Sequence, residues 1–470
     1  MVGLTVIETV CVDEHATGYA TFQSHNQKVV SNRHGIFMTH IRTRNEPYTA
    51  QQWRLSHSPD GGKSFVTLYE AINATSAPAM ETDEQDNLYL ARPDFLDGHA
   101  YLYRFLAAEQ YARPHVTPIP YGSAGKYCLA YDGERQQLYY FAHNNTFHAI
   151  SLDGTVRRSI HLLQAGPDAV LQYPLLHLDR AGILHAAWTT QRRGQYLYWD
   201  IHYLQSPDGG QTWQKMDGTP LVLPIVADQH GPTDRITLDD EFDVHTWLSN
   251  CLVKDGKAHF VYLAQTQPPR QHYVRYDLQT AQRDVDIFPD FRGEGIFLSS
   301  VDGCLTTRAA LPNAPLYCVL AHAGRIACLA SDDNGETWYD YAMSEQQFTH
   351  YAIGGCRELT ADGYIIGSFT DRLGHPLDPF AASHVYFFKI QGGVSSARVI
   401  RVIEEVGTFT LEFAEVRGQP SEIRFRRAEE PWGAWQPWAT TLTVRAPGRP
   451  THFQLKSRLG VVSGAYAIPH

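Results

Sequence analysis

Charge is scarce in this chain, and basic charge is scarcer still. Only 19% of its 470 residues are Asp, Glu, Lys or Arg, and 39 basic against 50 acidic side chains leave a formal net charge of −11. No basic tract offsets that balance, so nucleic acid is excluded as an expected partner: phosphate binding needs clustered Lys and Arg. An anionic sugar is not excluded, because a local cleft of Arg and His can sit inside an acidic protein. Cysteine spacing is missing too. The seven Cys (11, 128, 251, 304, 318, 328 and 356) form no CxxC pair. No metal-ligand set or disulfide framework is therefore expected, and the thiols read as mostly buried and free. Long apolar runs are absent, so no membrane partner is expected. The first residues, Met1 to Glu8, lack the basic and apolar regions of a signal peptide. The expected location is the cytoplasm, or outside the cell after removal of a signal.

What the chain has in quantity is turns and aromatics: 36 Gly, 26 Pro and 12% Phe, Trp and Tyr. That balance points to an all-β protein. One octapeptide occurs three times, as Ser58-Pro-Asp60-Gly-Gly62-Lys-Ser64-Phe65, as Ser206-Pro-Asp208-Gly-Gly210-Gln-Thr212-Trp213, and as Ser331-Asp-Asp333-Asn-Gly335-Glu-Thr337-Trp338. The shared pattern, Ser-x-Asp-x-Gly-x-Ser/Thr-aromatic, suits a tight hairpin turn. Asp and Ser cap their own backbone, Gly accepts positive φ, and the aromatic packs beneath. A second period runs through turns near Gly35, Asn87, Gly133, Gly182, Gly256, Gly303 and Gly363, each followed by an apolar strand such as Ile36-Phe-Met-Thr-His40 or Ile183-Leu-His-Ala-Ala-Trp188. Units of this length, in phase with the octapeptides, match four-stranded propeller blades.

The octapeptide resembles the Asp-box, or BNR, repeat of sialidases and related carbohydrate-active β-propellers. The resemblance implies an all-β fold: a seven-bladed β-propeller over residues 1–391, followed by a small C-terminal β-sandwich of fibronectin type III kind over 392–470. The N-terminal strand around Leu4–Val12 is expected to complete the last blade beside His384–Ile390, hiding sheet edges. Trp432, Trp435 and Trp438 in the C-terminal segment read as packing residues in preference to a sugar site.

Propellers bind ligands at the mouth of the central channel, so candidate residues lie just before and within the innermost strands. Ser24-His25-Asn26-Gln27-Lys28, with Thr39-His40-Ile41-Arg42 after the turn, resembles the opening of seven-bladed ulvan lyases and rhamnose–glucuronate lyases, which carry such a His pair. Gln172-Tyr173-Pro174, followed by Trp188 and by Gln191-Arg192-Arg193, resembles their Tyr-Pro strand and Arg-containing loop, although here the Arg pair comes three residues late. The resemblance implies His25 or His40 as base, Tyr173 as acid or second base, and Arg192 as the group that neutralises a uronate carboxylate. Asn26, Arg42, His143, Arg193, Trp247 and Asn250 are the candidate substrate-binding residues. The acidic stretch Asp239-Asp240-Glu241-Phe242-Asp243 reads as an acid/base pair, a structural Ca²⁺ site or a solvated loop. No other cofactor is expected.

Elimination at a uronate needs carboxylate neutralisation, a base of near-neutral pKa and an acid for the leaving oxygen. The expectation is a polysaccharide lyase that cleaves a uronic-acid-containing glycan by β-elimination, acting as a monomer on an anionic poly- or oligosaccharide. Two alternatives stand beside it. One is a glycoside hydrolase of sialidase-like or rhamnosidase-like kind, drawing on the acidic stretch. Lys28-Val-Val stands where a sialidase would carry an Arg-Ile-Pro-like motif, which counts against that version. The other is a non-catalytic carbohydrate-binding propeller.

Overall fold

The computed structural model describes residues 4–42, 51–94, 97–122, 125–142, 145–228, 231–241, 243–287, 291, 303–373, 382–446 and 448–469. Among these the chain is almost wholly β. The described residues form no α-helix and only short 3₁₀ turns such as Ala107–Glu109 and Asp239–Glu241.

The strands fall into antiparallel groups of four that follow one another along the chain. The first is Val29–Asn32, Gly35–Arg42, Gln51–Ser58 and Val66–Ala74. The second begins at Ala79–Thr82 and the third at Tyr127–Asp132. The fourth contains Ala169–Leu178, Leu184–Arg192, Tyr198–Ser206 and Trp213–Gln214; the fifth begins at Thr246–Lys254 and the sixth at Cys304–Thr306. A last group joins His350–Gly355, Tyr364–Asp371 and Ser383–Gln391 to the strand Thr5–Ala16 from the other end of the sequence, with Glu8 opposite Lys389 and Thr9 opposite Phe388. That strand also runs parallel to Tyr339–Ser344, with Thr5 opposite Ala342, and meets the first group where Ala16 faces Arg42. The expected pairing of the N-terminal strand with His384–Ile390 is therefore present.

Successive groups pack face to face. Leu129 and Tyr140 of the third group share a cluster with Tyr89 and Leu102 of the second, and Trp188 and Leu204 of the fourth share one with Phe141 and Phe147 of the third. Phe387 and Val385 of the last group pack with Phe37 and Trp53 of the first, so the series returns to its start. Apolar burial between sheets, at about 25 cal/mol per Å², is the main term holding such a stack together.

The three octapeptides fold alike. Ser58 Oγ donates to Asp60 Oδ1, the Gly62 N–H donates to Ser58 Oγ, and Ser64 donates its hydroxyl to Asp60 Oδ2 and its N–H to Oδ1. The same bonds recur around Ser206, Asp208, Gly210 and Thr212, and around Ser331, Asp333, Gly335 and Thr337. Each closing aromatic reaches into the preceding group: Phe65 against Phe387 at 5.2 Å, Trp213 against Phe147 at 5.3 Å, and Trp338 against Tyr273 at 5.0 Å between ring centroids. The glycine is required twice over. Gly62, Gly210 and Gly335 have φ of 93°, 80° and 88°, and a Cβ on each would collide with that same partner ring, Phe387, Phe147 or Tyr273. Asp208→Ala removes the acceptor for three of these four bonds. It should lower stability by about 2 kcal/mol in a denaturant titration with no effect on ligand binding.

One sequence expectation shifts. Gly303 precedes the inner strand Cys304–Thr306 and is not its turn; the hairpin of that group lies at 307–315, where Asn313 has φ of 56°. Six of the seven turn positions coincide with the inner hairpins of their groups.

Beyond Gln391 a three-stranded sheet (Ser396–Glu405, Thr408–Arg417, Thr441–Arg445) faces a four-stranded one (Pro420–Arg426, Gln436–Pro437, His452–Ser457, Tyr466–Ala467). Leu411, Phe413, Ile423, Phe453 and Leu455 fill the space between them. Asp332, which stands where the other octapeptides have proline, fastens this unit: its Oδ2 accepts from the Gly418 N–H at 2.8 Å and the Tyr339 hydroxyl at 3.1 Å. Trp438 packs on Phe413, whereas Trp432 and Trp435 sandwich Arg424 at 5.2 and 4.5 Å.

Candidate active site

Each inner strand enters the stack at one end and turns at the other, and the octapeptides lie at the turning end. The entering end gathers the chemistry. The segment before Val29 folds through tight turns, with the Phe22 N–H donating to Tyr19 O and the Asn26 N–H to Gln23 O. Gln23, at φ 68°, donates through Nε2 to Ser76 Oγ at 2.8 Å and Gly125 O at 2.9 Å, tying the opening of the first group to those of the next two. This lashing fixes His25 and Lys28, and it sets the neighbour of Gly125, Lys126, over the same space.

His25 is 3% exposed and meets the edge of the Tyr173 ring, with centroids 5.8 Å apart. Its Nε2 is buried without a hydrogen-bond partner, and the ring makes a backbone hydrogen bond to Tyr127. Burial first, then the charges of Lys28 and Lys126, push its pKa well below the usual imidazole range. The result is a neutral ring with a free lone pair.

Tyr173 sits at φ 49° in a break of register between Gln172 and Leu175. Such bulges re-aim side chains next to binding sites. The same device recurs between Leu248 and Asn250 and between Tyr351 and Gly354, also in inner strands. Around Tyr173 stand Phe22 at 6.2 Å and Tyr198 at 5.5 Å, and Lys126 Nζ lies 5.4 Å from the Tyr173 ring centre. Tyr198 hydrogen-bonds to both Tyr173 and Tyr196. Trp247 extends this wall: it is stacked on His245 at 4.9 Å and tilted against Tyr198 at 5.6 Å.

Lys28 is fully buried and donates to the backbone carbonyls of Gln23 and Asn26. Burial pulls its pKa down to about 7. Below these cations Arg357 crosses toward neighbouring groups, its N–H donating to Gln27 Oε1, its Nη1 to Glu81 Oε1 at 2.5 Å and its Nη2 to Leu129 O at 3.2 Å. His25 thus sits in a cluster of aromatic rings with two lysines beside it.

The structure brings His25, Asn26, Tyr173 and Trp247 to this end. Asn26 keeps its Oδ1 buried and unpartnered while Nδ2 donates to Gln23 Oε1. His40 turns to a different partner, Asp13 Oδ2 at 3.1 Å, which also accepts from Arg54 at 3.0 Å. Arg42 lies at the strand end opposite Gln52. Arg192 stacks on Trp199 at 4.3 Å and pairs with Asp243 at 3.3 Å. Arg193 donates to the backbone carbonyls of Pro167 and Ala169 and so braces its own hairpin. Asn250 Oδ1 accepts from the Leu305 N–H at 3.4 Å. His143 lies outside the described residues.

Sequence reasoning passed over Lys126, Lys28, Tyr198 and Phe22. Lys126 was within its reach: it precedes the inner strand Tyr127–Asp132 just as the His25 segment precedes Val29.

The acidic stretch is spent on ion pairs. Asp240 meets Arg270 at 2.8 Å, Asp239 meets Arg235, and buried Glu241 meets His272 and the Tyr262 hydroxyl. Among the described residues no group of three or more His, Cys, Asp or Glu could hold a metal ion. All seven cysteines are free, and all but Cys11 are buried.

The pairing of His40 with Asp13 has a consequence for stability. Burial raises the Asp13 pKa, but the His40 hydrogen bond and charge and the Arg54 charge outweigh it and hold the carboxyl at about 2, below its ordinary 3.8. Because the folded value is the lower one, the stabilisation is complete above pH ~4 and is lost as pH falls toward 2. Asp13→Asn should cost about 2–3 kcal/mol at pH 7 by stranding His40 and Arg54. That deficit should shrink toward zero near pH 2, as read by chemical denaturation across pH.

No family model matches the sequence, and no curated protein matches it. Solved structures do match in shape. An ulvan lyase of polysaccharide lyase family PL25 superposes with a TM-score of 0.56 at 11% identity, covering 82% of this chain and 96% of the lyase. The same enzyme bound to -[GlcA(1-4)Rha3S]- superposes equally well. The polysaccharide lyase Uly1 also gives 0.56, at 10% identity over 83% of this chain and all of its own. At such identities the likeness is one of fold. This chain has the propeller-like β architecture of these lyases.

Proposed function

We propose that the chain is a carbohydrate-active enzyme, a polysaccharide lyase that cleaves a uronic-acid-containing glycan by β-elimination. The observation that carries this reading is the buried, neutral His25 with its unpartnered Nε2 set against Tyr173, whose ring Lys126 covers. An unprotonated imidazole, a phenol and a cation in one cluster are the groups that elimination next to a carboxylate uses, and the lowered pKa of His25 keeps it unprotonated at the expense of basicity.

In this reading the four-stranded groups are seven blades closed by Thr5–Ala16 within residues 1–391, and 392–470 form a separate β-sandwich. The substrate carboxylate lies against Lys126, whose charge stabilises the carbanion that develops at C5, with Lys28 buried behind it. His25 Nε2 takes the C5 proton. The Tyr173 hydroxyl, linked to Tyr198 and Tyr196, gives a proton to the departing glycosidic oxygen, and the C4–O bond breaks as the C4–C5 double bond forms. Trp247 stacks on a neighbouring sugar face. His40 holds its strand through Asp13. Arg192, given its bond to Asp243, acts at the rim and not on the reacting carboxylate.

Support for a glycan of this class comes also from the fold-mate bound to -[GlcA(1-4)Rha3S]-. The test is a panel of uronate glycans (ulvan, glucuronan, rhamnogalacturonan, gum arabic) followed at about 235 nm, where the unsaturated product of carboxylate-assisted elimination absorbs. A rise supports the lyase. New reducing ends without absorbance would replace it with a hydrolase, and silence in both assays with a binding protein.

A further inference from the structure

We propose that the C-terminal sandwich holds a second binding site, for the anionic groups of a saccharide chain, in the cleft between the 426–436 loop and the end of the strand Thr441–Arg445. The cleft encloses about 320 Å³, the lower end of the range for small-ligand sites. Arg426, Arg427 and Arg445 line it over a floor that includes Phe425 and Val444. Its one acidic side chain, Glu430, is taken by Arg427 at 3.1 Å. Arg426 rests its guanidinium on the Trp432 ring at 4.8 Å while its Nε is buried without a hydrogen-bond partner. A side chain at Gly448 would strike the Arg427 guanidinium, so glycine there makes room for that arginine.

The charge distribution agrees. Residues 392–470 carry ten Lys and Arg against seven Asp and Glu, a net +3, in a chain whose total is −11. Guanidinium forks match carboxylate and sulfate groups in pairs, and the apolar floor suits the C–H faces of a sugar ring. The choice of a saccharide over another polyanion rests on the function proposed for the propeller; the cleft and its charge do not. With a polymer long enough to touch both sites, the two contacts would add as avidity.

The experiment is affinity electrophoresis of the full chain carrying His25→Ala, in gels containing glucuronan or a neutral glucan. Adding Arg426→Ala and Arg445→Ala should weaken retardation by glucuronan roughly tenfold, in keeping with the loss of two rim charges. Arg427→Glu, an exposed change, should act in the same direction and covers the case in which the double variant fails to fold. The neutral glucan should retard none of them. Unchanged retardation in both variants would overturn the proposal, as would equal retardation by a DNA oligonucleotide, which would mark an indiscriminate polyanion patch. Failure of every uronate to show elimination would sink the lyase reading and leave this binding result standing.

Discussion

His25→Ala should abolish formation of the unsaturated product, lowering kcat by a factor of about 10²–10⁴ with little change in KM, the range for loss of a positioned general base. His25 packs against the Tyr173 edge with its Nε2 unpartnered, whereas Lys126 and the aromatic rings that would hold a substrate stay in place. The pH profile is the sharper readout. Burial, Lys28 and Lys126 favour the neutral ring, so the acidic limb of kcat/KM should fall well below the ordinary histidine range. A variant that keeps activity within tenfold of the parent would place the base elsewhere. An acidic limb at an ordinary histidine pKa would show that the ring is not held as described.

Lys28→Met should give the opposite kind of result, a more stable and less active protein. A buried lysine whose pKa falls from 10.5 to about 7 opposes folding, since the unfolded chain holds the proton more tightly. Below pH 7 both states are protonated and the full penalty applies. As pH rises through 7 the folded state loses its proton, and by pH 10.5 the penalty is gone. The depression corresponds to roughly 5 kcal/mol. The lost bonds to the Gln23 and Asn26 carbonyls return about half of it. The expected net gain is about 2 kcal/mol at pH 6, vanishing near pH 10. Because Lys28 also lowers the His25 pKa, the acidic limb of activity should move up in the same variant. A loss of stability at pH 6 would mean that Lys28 does not carry its charge into the core.

What could be read in advance was whatever is settled locally. The octapeptide turns were legible because Ser, Asp, Gly and Thr close their own hydrogen bonds within a few residues. The N-terminal strand was legible because pairing the two ends of the chain hides sheet edges that would otherwise stay open. Gly303 misled because an Asp-Gly pair is an ordinary turn signal, whereas the true hairpin near Asn313 is built from Pro, Asn and Ala. The site was half visible. His25 and Tyr173 stand out in the sequence, but Lys28 and Lys126 do not, because they reach the same place only through the turns that Gln23 ties together. Arg192 looked catalytic until its partner, Asp243, arrived from an insertion 51 residues away.

The strand Thr5–Ala16 touches the groups that begin at Cys304 and His350 and the one that begins at Val29. Its contacts join residues almost 400 positions apart in sequence. Loop-closure entropy grows only with the logarithm of such a span, so the equilibrium barely registers the distance. Rates register it fully, because every other sheet can assemble from neighbours while this seam must wait for both ends of the chain. The seam is therefore expected to form last and to slow unfolding once made, since its contacts are absent from an early transition state.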